Sequence, residues 1–191
     1  MSVEVFFDYT CGFSNRAWHW LDPLESDGGQ QLMWRPFSLL QQNRGGDGGP
    51  VFDRAEYADN VSLVALAVHV ALRAGGGDLD AYRWRMFTAW HEEPGRLSTA
   101  DIVGFGRAHG LGDFDRAAAF AVLAAEHAHA SELGVFGTPT LLFGAGQAAF
   151  VKLDAVPAAD RGRPLLERVR QLAVGQPALR EWQRVTPTER G

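Results

Sequence analysis

Apolar positions change period several times along the chain, and each change marks an element. Val3-Glu4-Val5-Phe6-Phe7 is short, β-branched and aromatic, and runs into Asp8-Tyr9-Thr10, which predicts a buried strand followed by a tight loop. From Cys11 onward Ala17, Trp18, Leu21 and Leu24 recur at helical steps, so a helix is expected to end near Asp27-Gly28-Gly29. Gln31 to Pro36 reads as a second strand, parallel to the first because a helix intervenes. Gln41 to Pro50, rich in glycine, reads as a flexible loop.

Asp53 to Leu133 reads as helical throughout. Val61 to Arg73 is apolar nearly all round and ends at Gly75-Gly76-Gly77; Leu79, Tyr82, Met86 and Trp90 form a stripe that stops before Pro94. Ser98-Thr99-Ala100-Asp101 has the spacing of a capping box and opens a helix to His109-Gly110. Asp113 is expected to cap Phe114 to Leu133, as one long helix or two shorter ones. Leu141-Leu142-Phe143 and Ala149-Phe150-Val151-Lys152 flank a glycine-rich turn and predict a hairpin; a final helix from Pro164 to about Trp182 closes the chain. The order is strand, helix, strand, helical block, hairpin, helix, which periodicity alone defines as mixed α/β.

At 191 residues, with 46% hydrophobic and 21% charged positions, the chain is sized for one domain or one domain with an insertion. A net charge of −5 gives no general attraction to nucleic acid or anionic lipid, so neither is an expected partner. The longest apolar stretch, Val61 to Leu72, is about half a bilayer span and carries Ser62 and His69, so no membrane segment is expected. Met1 to Phe7 has no cationic leader or signal-length apolar run, which makes a cytoplasmic protein the expectation. The single cysteine rules out an internal disulfide and a cysteine-based zinc site.

Cys11-Gly12-Phe13-Ser14 lies at the joint between the first strand and the first helix. A helix N-terminus presents unpaired N–H groups and the positive end of the macrodipole, which stabilises a thiolate over a thiol. Ser14, on the same first turn, is positioned to donate to the sulfur, and Arg16 to add a nearby positive charge; Asp8 would oppose both if it faced the sulfur. The competing structural reading is a small buried cysteine at a helix start. In Gly134-Val135-Phe136-Gly137-Thr138-Pro139-Thr140, Pro139 stands at a strand start, where its missing N–H must be accommodated.

Phe7-Asp8-Tyr9-Thr10-Cys11-Gly12-Phe13-Ser14, Trp34-Arg35-Pro36-Phe37 and Leu133 to Thr140, in this order, resemble the DsbA-like thioredoxin-fold family, whose relatives include cytoplasmic oxidoreductases, kappa-class glutathione transferases and 2-hydroxychromene-2-carboxylate isomerases. The resemblance runs over almost the whole chain. It implies a thioredoxin-like domain at residues 1–52 and 134–191 with an inserted helical domain at 53–133. It further implies that Cys11 is the nucleophile, Ser14 occupies the resolving-cysteine position, and Thr138-Pro139 is a cis-proline loop facing the sulfur. Gly12 and Phe13 join Thr138 and Pro139 as expected substrate-binding residues.

Serine departs from the dithiol pattern, because it cannot displace a mixed disulfide. What remains is thiol–disulfide oxidoreductase chemistry through one cysteine, on a small-molecule or protein disulfide, with glutathione, mycothiol or bacillithiol as thiol co-substrate and no tightly bound cofactor. The alternatives are a transferase or isomerase using a bound thiol, against which Cys11 weighs because those relatives generally carry serine there, and a non-catalytic binding module. Monothiol glutaredoxins share Cys-x-x-Ser but are smaller, lack the helical block and carry a lysine shortly before the cysteine; the only lysine here is Lys152. His91-Glu92-Glu93 lacks a second histidine, and His127 and His129 do not share a helix face, so no metal site is expected and both histidines are read as solvated. His19 lies two turns from Cys11, too far to act as its base. The six tryptophans are read as core, with Phe13 as a site wall.

Overall fold

The structure, a computed structural model, describes residues 2–44, 49–93, 95–144, 146–176 and 178. Strand β1 (Ser2–Phe7), helix α1 (Gly12–Ser26) and strand β2 (Gln31–Pro36) form the expected βαβ unit. They are followed by α2 (Leu39–Arg44), two short 3-10 turns (Val51–Asp53 and Ala55–Tyr57), α3 (Val61–Gly75), α4 (Leu79–His91), α5 (Thr99–Ala108) and α6 (Arg116–Glu132). Strands β3 (Thr140–Leu142) and β4 (Ala148–Phe150) make the hairpin, and α7 (Ala159–Gly175) closes the described chain. This is the thioredoxin-like fold with a helical insertion.

The sheet order is β2-β1-β3-β4, with β1 parallel to β2 and antiparallel to β3, and β3 antiparallel to β4. Central β1 is covered on both faces. Val3, Val5 and Phe7 join the main core with Trp18, Leu21 and Trp34, whereas Phe6 packs with Phe37, Ala130, Val135 and Leu142. Edge strand β2 is blunted against further pairing: Leu32 N–H is taken by the Glu25 carboxylate at 3.3 Å, and Pro36 has no N–H to offer.

Three boundaries differ from expectation. The start of the segment read as a loop, residues 41–44, belongs to α2, because Ser38 Oγ accepts Gln41 N–H at 3.1 Å and Asp8 Oδ2 accepts Leu39 N–H at 3.0 Å. The cap of α6 is Asp115, which accepts Ala118 N–H at 3.0 Å, not Asp113; Phe114 stays ahead of the helix and packs against the core. Phe114 to Leu133 thus holds one helix. Helix α7 starts at Ala159 rather than Pro164, its first turn fastened where Trp20 Nε1 donates to the Gly162 carbonyl at 2.9 Å, and it ends at Gly175 with Gln176 as its C-cap, short of the expected end near Trp182. The Ser98–Asp101 capping box is present as read, with both reciprocal bonds. Residues 45–48 of the loop, Pro94, Ala145 of the hairpin turn and Trp182 lie outside the described residues.

Candidate functional site

Cys11 is the N-cap of α1, with φ −84° and ψ 116°. Its N–H donates to the Asp8 carbonyl at 3.1 Å, and its own carbonyl accepts Asn15 N–H at 3.0 Å, so backbone bonds on both sides fix the residue. A favoured N-cap side chain would fold back onto the helix amides. The thiol makes no such bond; Sγ is turned across the site to the Thr138 carbonyl at 3.5 Å. Cys11 is half-buried, Gly12 exposed and Phe13 half-buried.

The facing loop is held independently. The Thr138–Pro139 bond is cis. Thr140 Oγ1 donates to the Gly137 carbonyl at 2.7 Å, and Val151 N–H, just past β4, donates to the Pro139 carbonyl at 3.0 Å. Phe150 lies close over Gly137: a Cβ there would sit 3.1 Å from the ring, tighter than an ordinary contact. Thr138 Oγ1 is buried and has no hydrogen-bond partner among the described residues. Antiparallel pairing explains the meeting of two segments so distant in sequence. Phe6 of β1 pairs with Thr140, so the end of β1 and the start of β3 lie side by side, and the residues just beyond each face one another.

Ser14, read as a donor to the sulfur, is fully buried, and the partner of its Oγ is the Asp8 N–H at 3.4 Å. Asp8 does not face the thiol. Its carboxylate accepts Thr10 N–H at 2.9 Å, Thr10 Oγ1 at 2.8 Å, Leu39 N–H at 3.0 Å and Ser62 Oγ at 3.1 and 3.2 Å. Arg16 is also turned elsewhere: its Nε donates to the Leu153 carbonyl at 2.6 Å, and its guanidinium lies 4.6 Å from the Phe13 ring centre.

The helical block grips the residues before Cys11. Besides Ser62, His69 Nδ1 shares a 2.8 Å hydrogen bond with the Tyr9 hydroxyl, and His91 Nε2 donates to the Tyr9 carbonyl at 2.8 Å. Burial pushes the Tyr9 phenol up and His69 well down, so both stay neutral, and burial also lowers His91. Sequence reasoning missed this support, since Ser62, His69 and His91 sit on apolar or unremarkable helix stretches whose only signal is polarity inside an apolar run.

His127 corrects the sequence reading: it is buried, its ring stacked on Phe37 at 4.3 Å, and burial holds it down at about 4, whereas His129 is exposed. His19 pairs with Glu92 at 2.9 Å at the surface. Trp18, Trp20 and Trp34 are core, but Trp84 is exposed. No cluster of histidine, cysteine, aspartate or glutamate among the described residues has metal-holding geometry. Beside the Thr138–Pro139 loop, Phe136 and Phe150 are both exposed and stand edge-to-face at 4.9 Å.

A strand–helix joint carrying one thiol, set against a cis-proline loop on a four-stranded sheet, defines a thioredoxin-fold thiol protein. The chain belongs to the DSBA-like thioredoxin domain family, whose model matches residues 2–161. Among solved structures, the cytosolic disulfide reductase DsbM from Pseudomonas aeruginosa is 22% identical, with a TM-score of 0.58 over 91% of this chain and 100% of that one. Its structure with GSH is 21% identical, with a TM-score of 0.55 over 88% and 98%. A thioredoxin-like oxidoreductase from Silicibacter pomeroyi DSS-3 is 20% identical, with a TM-score of 0.54 over 89% and 86%. These likenesses are of fold. No curated protein matches the chain. Among the described residues no helix is long and apolar enough to cross a membrane.

Proposed function

We propose that this protein is a single-cysteine thiol–disulfide exchange enzyme that works through a mixed disulfide with a low-molecular-weight thiol in the cytoplasm. The observation that carries the reading is the half-buried Cys11 at the start of α1, its Sγ against the Thr138 carbonyl of the cis-proline loop. A sulfur so placed is open to a second sulfur approaching from solvent, and the loop offers backbone groups alongside. Gly12, Phe13, Thr138 and Pro139 border the approach. That DsbM has been solved with GSH makes glutathione the first thiol to test here.

In the forward step the Cys11 thiolate attacks one sulfur of a disulfide RSSR. The S–S bond breaks, a Cys11–S–S–R bond forms, and RS⁻ leaves and takes a proton from solvent. In the return step an external thiolate attacks the Cys11 mixed disulfide, forms a new disulfide with R and restores the Cys11 thiolate; each exchange conserves disulfides and needs no other oxidant. Ser14 takes no part in the electron bookkeeping. Its contribution is to hold Asp8 N–H, and with it the loop that carries Cys11.

Intact mass after exposure to glutathione disulfide tests the reading. One glutathione per chain is expected, lost on adding reduced glutathione and absent in Cys11→Ser. A native chain that takes up no thiol, while the unfolded chain does, would sink the exchange mechanism in favour of a binding module. Adduct-free turnover retained by Cys11→Ala would point instead to transferase or isomerase chemistry on a bound thiol.

A further inference from the structure

Lys152 is exposed and lies between two aromatic rings, its Nζ 5.2 Å from the Phe13 ring centre and 5.0 Å from that of Phe150. Its backbone is pinned on both sides: Val151 N–H donates to the Pro139 carbonyl at 3.0 Å, and the Leu153 carbonyl accepts Arg16 Nε at 2.6 Å. The Arg16 guanidinium rests on the same Phe13 ring at 4.6 Å. Two cations therefore share one aromatic ring two residues from Cys11, and neither has a carboxylate within ion-pair distance among the described residues. In a chain of net charge −5 this corner brings the single lysine and an arginine to one ring. Ring contacts hold an ammonium in place without neutralising it, so the positive charge stays available to an incoming anion.

Resting on the exchange reading, we propose that Lys152 and Arg16 form a carboxylate-binding subsite that selects disulfides of anionic low-molecular-weight thiols, those with free carboxylates, over neutral or cationic ones. The subsite lies against the Phe13 ring, two residues from Cys11. It acts on encounter and on the orientation of the attacked S–S bond, while the exchange itself remains the sulfur chemistry already described.

The test measures second-order rates of Cys11 adduct formation with three symmetric disulfides: anionic glutathione disulfide, neutral 2-hydroxyethyl disulfide and cationic cystamine. Each charged probe is expressed as a ratio to the neutral one, which cancels the reactivity of Cys11. Lys152→Glu is expected to lower the glutathione ratio about five- to tenfold and to raise the cystamine ratio, and 0.5 M salt is expected to shrink the wild-type preference. Lys152→Gln should fall between. Ratios that stay within twofold of wild type in both variants overturn the subsite while leaving the exchange reading standing. Failure of all three probes to react with wild-type protein overturns the exchange reading, and the subsite with it.

Discussion

Asp8 and Ser62 meet at 3.1 and 3.2 Å across the boundary between the thioredoxin-like core and the helical insertion. The carboxylate is fully buried and collects donors from the Cys11 loop, from the start of α2 and from α3, so one side chain joins three parts of the chain. A buried charge persists only when its lone pairs are satisfied, and these are.

Removing that carboxylate leaves Leu39 N–H, Thr10 N–H and Ser62 Oγ without their acceptor. Asp8→Ala is expected to cost about 3–5 kcal/mol in urea unfolding, and Ser62→Ala, which leaves the other donors in place, about 1 kcal/mol. Equal effects would mean that the network is not centred on Asp8.

Ser14 sits one helical turn from Cys11, where a second thiol would meet the sulfur of a mixed disulfide. In Ser14→Cys the introduced thiolate is expected to attack the Cys11 sulfur, expel glutathione and leave an internal disulfide. Mass analysis after glutathione disulfide should therefore show a chain two hydrogens lighter in place of the stable wild-type adduct. Persistence of the adduct would show that the buried position of Ser14 keeps the new sulfur out of line.

Acid should weaken the fold through His127. Burial lowers it from 6.5 to about 4, so the folded protein holds it neutral while the unfolded chain protonates it near 6.5. Its contribution is full above pH 6.5, falls as pH drops towards 4 and levels off below. Between pH 7 and 4.5 the loss is expected to be on the order of 1–2 kcal/mol, less than the full shift implies because the ring is not wholly screened from water. His127→Phe, which keeps a planar ring against Phe37, should flatten the dependence; a residual slope is expected from His69 and His91, which burial also lowers. An unaltered slope in the variant would remove His127 as its source.

Two glycines of α5 should respond in opposite directions to alanine. A Cβ on Gly106 would lie 2.6 Å from Val68 Cγ1 and 2.9 Å from Leu111 Cδ2, both in the core, so Gly106→Ala is expected to lose about 1–2 kcal/mol despite its better helix propensity. A Cβ on Gly104 meets nothing within 4 Å, and Gly104→Ala is expected to gain about 0.5–1 kcal/mol. Urea midpoints of the two variants check both signs.

Local pattern made much of this protein legible. The β-branched and aromatic run Val3 to Phe7, the change of period at Cys11, the Ser98–Asp101 spacing and the glycine-flanked hairpin are properties of short segments, and the elements stand where those segments lie. The chemistry-bearing thiol at a strand–helix joint could be read the same way, because a helix start is a local event. Other features depended on which distant groups arrive. The start of α2 is held partly by Asp8, thirty-one positions away, so its residues read as loop. His127 looks polar and is buried only because Phe37 and Phe52 close over it. Whether Asp8, three residues before Cys11, faces the sulfur is decided by donors from α2 and α3 that take its carboxylate. Above all, the contact of Cys11 with Thr138 and the gathering of Arg16, Phe13 and Lys152 follow from the antiparallel register of β1 and β3 and from where β4 ends. The sequence by itself determined the elements and the thiol; the sheet register decided what the thiol faces, because contacts between remote segments depend on packing that no local period encodes.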